Sequence, residues 1–316
     1  MLTRAAPLAR AAGGLRRRPP ALRRHPRHRR FAAGDEFGPR EPTPSSLGLC
    51  ATGLVAGGLG SLAGMGGGFV AIPMMVAQGL SQHAAHGTSL VGVLATGAAG
   101  AGAYALAGDV DVVTAAAVAS TGALTATFGA SAAAALSGQQ LARLLGCFML
   151  GVAPVVPYKA QILEAVGAAR TPPPATKPTL AERLDQLRAD PAGEAAPLLG
   201  IGCAAGFLAG LFGVGGGAVV VPLLSLATDA DHKTALGTSL CAMVPTAVAG
   251  VLAHVRLGNV RPPVALPLGL GTCVGAFLGG RLAADLDEDH MKLGFGGVMV
   301  ALGARTLLKA LSGALV

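Results

Sequence analysis

The sequence predicts an all-α polytopic membrane protein built from two homologous halves, and three observations carry that prediction. Of the 316 residues, 52% are hydrophobic, only 13% are charged and none is Trp, a balance too apolar for an ordinary soluble domain. No Asp, Glu, Lys or Arg occurs in residues 42–108, 112–142, 195–228 or 234–255, so these stretches must face lipid or one another. Residues 64–73 read Gly-Met-Gly-Gly-Gly-Phe-Val-Ala-Ile-Pro and residues 213–222 read Gly-Val-Gly-Gly-Gly-Ala-Val-Val-Val-Pro, each followed by Gly-Thr-Ser-Leu, at 87–90 and 237–240. Two linked motifs recurring in the same order mark an internal duplication.

The chain opens with a leader, residues 1–40, holding eleven Arg against Asp35 and Glu36. Ten of those Arg precede position 31 and no apolar core follows them, the pattern of an organelle transit peptide and not of a secretory signal. Few hydroxyl residues favour the mitochondrial inner membrane; a plastid membrane, or an Arg-rich arm on a bacterial plasma-membrane protein, are the alternatives. Without the leader, 13 basic residues face 14 acidic ones. The net charge of +8 is therefore local to the leader, and no nucleic-acid partner is expected.

The first repeat occupies 47–157, with apolar segments at 47–63, 69–79, 87–107, 112–136 and 141–157. A Pro-rich, charged stretch at 158–195 reads as a solvated linker with a short surface helix at 180–187. The second repeat occupies 196–311, with segments at 196–212, 218–228, 236–255, 262–282 and 291–309. A full crossing takes about 20 residues, which the third and fourth segments of each repeat supply. The second segment, at about 11 residues, is a half-span. The count is about eight crossings, or ten if the short broken segments are included. Arg256 and Arg261 occupy the loop that aligns with Asp109 and Asp111, which leans toward an inverted repeat.

Gly53, Gly57, Gly202, Gly206 and Gly210 recur at four-residue spacing, which lets helices approach closely. Three consecutive glycines are different, because each weakens a helix interior by about 1 kcal/mol relative to Ala. Pro73 and Pro222 suit the first position of a helix. The glycine segments therefore read as breaks, unwound as far as residues 72 and 221, with a short helix starting near each proline. Free backbone at membrane depth is tolerated where it is buried in protein or lines a cavity. Gly66, Gly67, Gly68 and Gly215, Gly216, Gly217 would then offer N–H groups to a small anion; close helix crossing is the plainer alternative. Thr88, Ser89, Thr238 and Ser239 sit where the third segment begins, placed either to cap that helix or to hydrogen-bond a ligand. His86 precedes the first Gly-Thr-Ser-Leu but Leu236 the second, so any proton coupling through His86 is asymmetric. His254 and Arg256 read as interface anchors.

The five cysteines form no CxxC pair, and neither a metal site nor a cofactor is expected. Residues 58–63 meet a loose GxGxxA pattern without the strand and helix that a dinucleotide site requires. Gly129-Ala-Ser131 lacks the nucleophile pattern of a hydrolase. No acid, base and nucleophile converge, so the chain is not read as an enzyme.

The paired Gly-x-Gly-Gly-Gly-x-x-x-x-Pro and Gly-Thr-Ser-Leu motifs resemble the sulfite exporter TauE/SafE family over roughly 47–311. That resemblance implies a multi-pass permease moving small anions, typically sulfite, sulfonates or related organosulfur compounds. The expected partners are a small-molecule anion and the lipid bilayer, with a homo-oligomer left open. A membrane assembly or scaffold protein without a permeant is the alternative.

Overall fold

A computed structural model of the chain describes residues 44–155, 158, 180–228, 230–283, 286 and 288–312. The leader at 1–40 and most of the linker before residue 180 lie outside the described residues. Among those described, every regular element is helical: α1 (Ser46–Leu62), α2 (Gly68–Ala77), α3 (Gln82–Leu106), α4 (Val112–Ala135), α5 (Gly138–Val152), α6 (Leu180–Ala189), α7 (Ala196–Phe212), α8 (Gly217–Ala227), α9 (His232–Arg256), α10 (Pro262–Leu282) and α11 (Glu288–Leu311). A single π-helical turn, Pro191–Ala195, leads into α7.

Short polar residues start several of these helices. Ser45, Ser81, Asp111 and Ser137 each accept an N–H from the first turn of α1, α3, α4 and α5, satisfying donors that a helix end leaves open. Five helical stretches are long and apolar enough to cross a bilayer: α3, α4, Gly193–Phe212, α9 and α10. Leu124 and Phe128 on α4 and Leu266 and Leu270 on α10 are all more than 60% exposed. Side chains of that kind belong against lipid tails.

The prolines do not start their helices. α2 begins at Gly68 and α8 at Gly217, five residues before Pro73 and Pro222, which lie inside. Gly67 and Gly216 take positive φ, 70° and 73°, and turn the chain sharply enough for helix to resume at the next residue. Each proline then removes one interior hydrogen bond, leaving the Phe69 and Ala218 carbonyls without their usual donor. The expectation of unwound backbone as far as the prolines is corrected accordingly.

Packing is set by glycine. Gly271, Gly275 and Gly279 of α10 lie against the carbonyls of Cys50, Leu54 and Gly58 on α1, so these helices run parallel in backbone contact. In the same way Gly202, Gly206 and Gly210 of α7 lie against the carbonyls of Val118, Gly122 and Ala126 on α4. The four-residue glycine spacing thus joins segments distant in sequence. At the centre, Gly97 of α3 faces Leu240 and Val244 of α9, and Gly250 of α9 faces Leu90 of α3. The two Gly-Thr-Ser-Leu helices therefore run antiparallel.

α2 folds back beside α1: Gln78 donates from Nε2 to Thr52 Oγ1 at 2.8 Å, and Gly67 abuts the Ala56 carbonyl. α1, the glycine turn and α2 thus form a helical hairpin. α8 folds back on α7 likewise, with Gly216 against Ala205.

Candidate functional site

Two glycine turns meet at the centre of the bundle. In the first, Gly64, Gly66 and Gly67 have φ of 67°, 84° and 70°; in the second, Gly213, Gly215 and Gly216 have 68°, 92° and 73°. A methyl group at Gly68 would stand 2.6 Å from the Gly213 carbonyl oxygen, and one at Gly217 would stand 2.7 Å from Met65 Cα. Backbone crosses backbone here, with no room for a side chain. Val93 of α3 and Met243 of α9 flank both Gly66 and Gly215. Each is the twelfth residue of a 25-residue helix, so the crossing lies level with the midpoints of the two central spans.

The sequence suggests that these turns border a cavity; the structure packs them instead. Residues 64–70 and 213–218 are all buried, because the absence of side chains lets each turn fill the space of the other. Their hydrogen bonding is nonetheless incomplete. Met65 donates to the Gly60 carbonyl at 2.8 Å, but the N–H groups of Gly67, Gly68 and Phe69 have no acceptor among the described residues. Those of Gly216, Gly217 and Ala218 have none either. Neither helix start carries a side-chain cap. A left-handed residue followed by a right-handed one converges three N–H groups into a concave nest suited to an anion, and the helix start adds positive potential. The chain builds this arrangement twice, in an uncharged wall.

The four hydroxyls of the Gly-Thr-Ser-Leu motifs are engaged across the molecule. Ser89 Oγ lies 2.7 Å from the Gly213 carbonyl and 2.8 Å from the His86 carbonyl, which share its one proton. Ser239 donates to the Gly64 carbonyl at 2.9 Å. Each serine therefore latches the start of the opposite glycine turn. Thr88 accepts the N–H of Arg261 at 3.0 Å, and Thr238 accepts that of Asp111 at 2.9 Å. Each threonine fixes the residue before a long helix of the other half. The structure thus brings the serines to the two turns and sets the threonines on the flanking loops. Pro73 and Pro222 sit one and a half turns into α2 and α8.

His86 is fully buried, and neither ring nitrogen has a hydrogen-bond partner among the described residues. The carbonyls of Leu211 and Phe212, in the last turn of α7, lie beside the ring without reaching hydrogen-bonding geometry. His254 is an internal latch, not the surface anchor expected of it. It is 1% exposed, its Nε2 meets the Gly210 carbonyl at 2.8 Å, and Asn259 meets its Nδ1 at 3.3 Å. Since a carbonyl only accepts, Nε2 carries the proton of the neutral ring.

Sequence reasoning does not find several contributors. Val93 and Met243 look like ordinary core residues, and Ser61 and Thr96 are buried hydroxyls without a partner among the described residues, in an Ala/Gly background. Beside α2, Pro73, Val76, Gln82, Thr306, Arg305 and Lys309 line a crevice of about 20 Å³. Gln82 is 7% exposed with its Oε1 unpartnered. At the other end of α3, Arg183 of α6 contacts Asp111 at 2.9 Å and Thr114 at 3.0 Å. Burial pushes the Asp111 carboxyl upward, but the hydroxyl and N–H of Thr114 and the Arg183 guanidinium outweigh it and hold the group below its usual range.

Lipid-facing apolar helices, two backbone breaks level with the centre of the longest spans, and uncapped helix starts at both breaks define a polytopic membrane transporter. The chain belongs to the sulfite exporter TauE/SafE family, whose profile matches residues 22–186 and 198–314. It is 29% identical over 255 residues to the probable membrane transporter protein YunE of Bacillus subtilis, covering 76% of this chain and 88% of that one. A probable membrane transporter protein of Xylella fastidiosa strain 9a5c is 32% identical over 254 residues, 79% of this chain and 90% of the relative. Similarity to YdhB of Bacillus subtilis, 37% over 84 residues, spans 27% of this chain and 34% of that protein. No solved structure matches the chain.

Proposed function

We propose that the protein is a permease for small oxyanions, of the sulfite, sulfonate or related organosulfur class, and that the two glycine turns are its anion-binding elements. The observation that carries this is the pair of uncapped N–H clusters, at 67–69 and 216–218. In the form described here the nests are closed on each other. Because each turn is latched by one serine from the opposite half, releasing one latch would expose one nest to an aqueous face while the other stays covered. Residues 47–157 and 196–311 are then two inverted repeats that exchange helices, α10 packing on α1 and α4 on α7, so the units that rock about the crossing each combine helices of both repeats, a reading supported by the antiparallel course of α3 and α9. The Arg-rich leader would direct the chain to its membrane, with the mitochondrial inner membrane as the first destination to test by fusing residues 1–40 to a reporter.

The direct test is uptake of labelled sulfite and ethanesulfonate by proteoliposomes holding the purified protein. Saturable flux of either anion, competed by the other, is expected. If neither moves faster than in empty vesicles, nor any other small oxyanion, oxyanion transport is refuted. Stable protein partners in the absence of flux would mark an assembly role instead.

A further inference from the structure

The last turn of α7 leaves an unusual set of acceptors around His86. The final carbonyls of a helix have no partner within it, and they carry the negative end of its dipole. Here the Ala209 carbonyl takes the Gly213 N–H, the Gly210 carbonyl takes His254, and the Gly213 carbonyl takes Ser89. Among the described residues, Leu211 and Phe212 are left with open carbonyls, and these are the two beside the His86 ring. A fully buried imidazole with both nitrogens idle next to two idle acceptors is an unfinished hydrogen-bond network. Natural interiors rarely tolerate one without a use. Adding one proton completes it: the neutral ring has one N–H and one lone pair, whereas the imidazolium has two N–H groups.

Among the described residues, the titratable groups whose charge reaches His86 are His254 on α9 and His83, one turn earlier on α3, with no carboxylate. The last turn of α7 contributes only Ala, Gly, Leu and Phe, and the Arg261 N–H bonds Thr88. His254 is committed to Gly210 and Asn259, which leaves His86 as the ring with open positions. His83 is only half-buried, with Nε2 at 3.0 Å from the Leu136 carbonyl. The opposite half has Leu236 where this half has His86, so the device is built once.

We propose that His86 carries the proton of a proton-coupled transport cycle, binding it at the end of α7 and thereby setting the second glycine turn. The proton enters from water past His83 and adds to the free ring nitrogen. The resulting imidazolium donates to the Leu211 and Phe212 carbonyls, clamping the residues that lead into Gly213. The His86 carbonyl already abuts Gly213, so a shift of the backbone at residue 86 reaches the turn directly. Releasing the proton loosens the turn again. This rests on the permease assignment.

Ethanesulfonate is the probe of choice, because it stays ionised across the working range and any proton that moves with it is carried by the protein. Proteoliposomes with an entrapped pH dye are given ethanesulfonate with and without a pH gradient. Wild-type protein is expected to move protons when the anion is added and to accumulate it at least tenfold more with the gradient. His86→Leu, which installs the residue of the opposite half, is expected to abolish both while keeping downhill exchange of labelled for unlabelled anion. His86→Gln serves if the Leu variant does not fold, and its expected behaviour is the same. Gradient-driven accumulation by either folded variant equal to wild type would overturn the proposal. Wild-type anion flux without proton movement would overturn it too while leaving the permease assignment standing, whereas absence of wild-type flux would remove both.

Discussion

Replacing Ser239 by Ala removes the only hydrogen bond that the Gly64 carbonyl receives among the described residues, a buried contact of 2.9 Å. The carbonyl cannot turn to water, because Gly64 is buried and its φ of 67° is fixed by the turn. Interhelical hydrogen bonds in membranes average only about 0.6 kcal/mol, with a maximum near 1.7. Orphaning a buried acceptor in a soluble interior costs about 1–3 kcal/mol. No alternative donor stands at this carbonyl, so the upper end of the membrane range applies and the expected loss is about 1.5 kcal/mol, roughly a tenfold shift in the folding equilibrium. Ser89→Ala should lose a similar amount, since its second acceptor, His86, lies within a helix and the Gly213 carbonyl is the one left bare. The assay is reversible unfolding in mixed micelles, read by far-ultraviolet circular dichroism, with Ser120→Ala as the control. Ser120 is exposed and bonds only within its own helix. If Ser239→Ala and Ser89→Ala unfold with the control, the latches contribute nothing and cross-half locking of the turns is wrong.

Three further outcomes are expected. Gly68→Ala should be far worse folded than Gly66→Ala: its new methyl meets the Gly213 backbone oxygen at 2.6 Å, whereas that of Gly66 meets the mobile end of Met243 at 3.2 Å and suffers mainly the positive φ, about 1–2 kcal/mol; expression and monodispersity rank them, and the reverse order contradicts the crossing geometry. The Asp111–Arg183 contact should weaken in acid, because a carboxyl held below its ordinary range stabilises at neutral pH and loses that contribution as pH falls through its lowered value. Asp111→Asn should reproduce this at neutral pH, seen as faster trypsin cleavage at Arg183 and Arg188; equal cleavage rates argue that α6 is held by other contacts. Arg305→Gln with Lys309→Gln, at the mouth of the crevice beside α2, should lower the low-salt kcat/KM for anion uptake by about threefold to tenfold, with the difference fading at high ionic strength. An unchanged salt profile would show that these two charges do not steer the anion.

Much of the architecture is legible in the sequence because the bilayer enforces it. Uncharged runs of about 20 residues have few options other than helix, and the four-residue glycine spacing translates directly into the α1–α10 and α4–α7 contacts. The triple glycines announce breaks because helix is costly there. Where the helix resumes is less legible: proline at a first helical position is a preference, whereas positive φ at Gly67 and Gly216 is a geometry that only the folded turn reveals. The hydroxyls show the same limit. Local spacing allows Ser89 and Ser239 to cap a helix or hold a ligand, and the choice of Gly213 and Gly64 as partners comes from residues 124 and 175 positions away. His86 is visible as an asymmetry, but its meaning depends on which carbonyls of α7 are left open. His254 is misread for a related reason. A histidine two residues before an arginine at a helix end looks interfacial until a neighbouring helix end covers it.

The central claim is that the uncapped N–H groups of the two glycine turns hold the transported anion. The measurement that meets it most directly is the structure of the protein bound to 2-bromoethanesulfonate, with the bromine located by anomalous scattering. The account predicts the sulfonate oxygens within about 2.7–3.2 Å of the N–H groups at 67–69 or 216–218, with the two turns parted to admit them. A saturated, transport-competent complex whose bromine lies only in the crevice beside Arg305 and Lys309, with Gly68 still packed on Gly213, would contradict it.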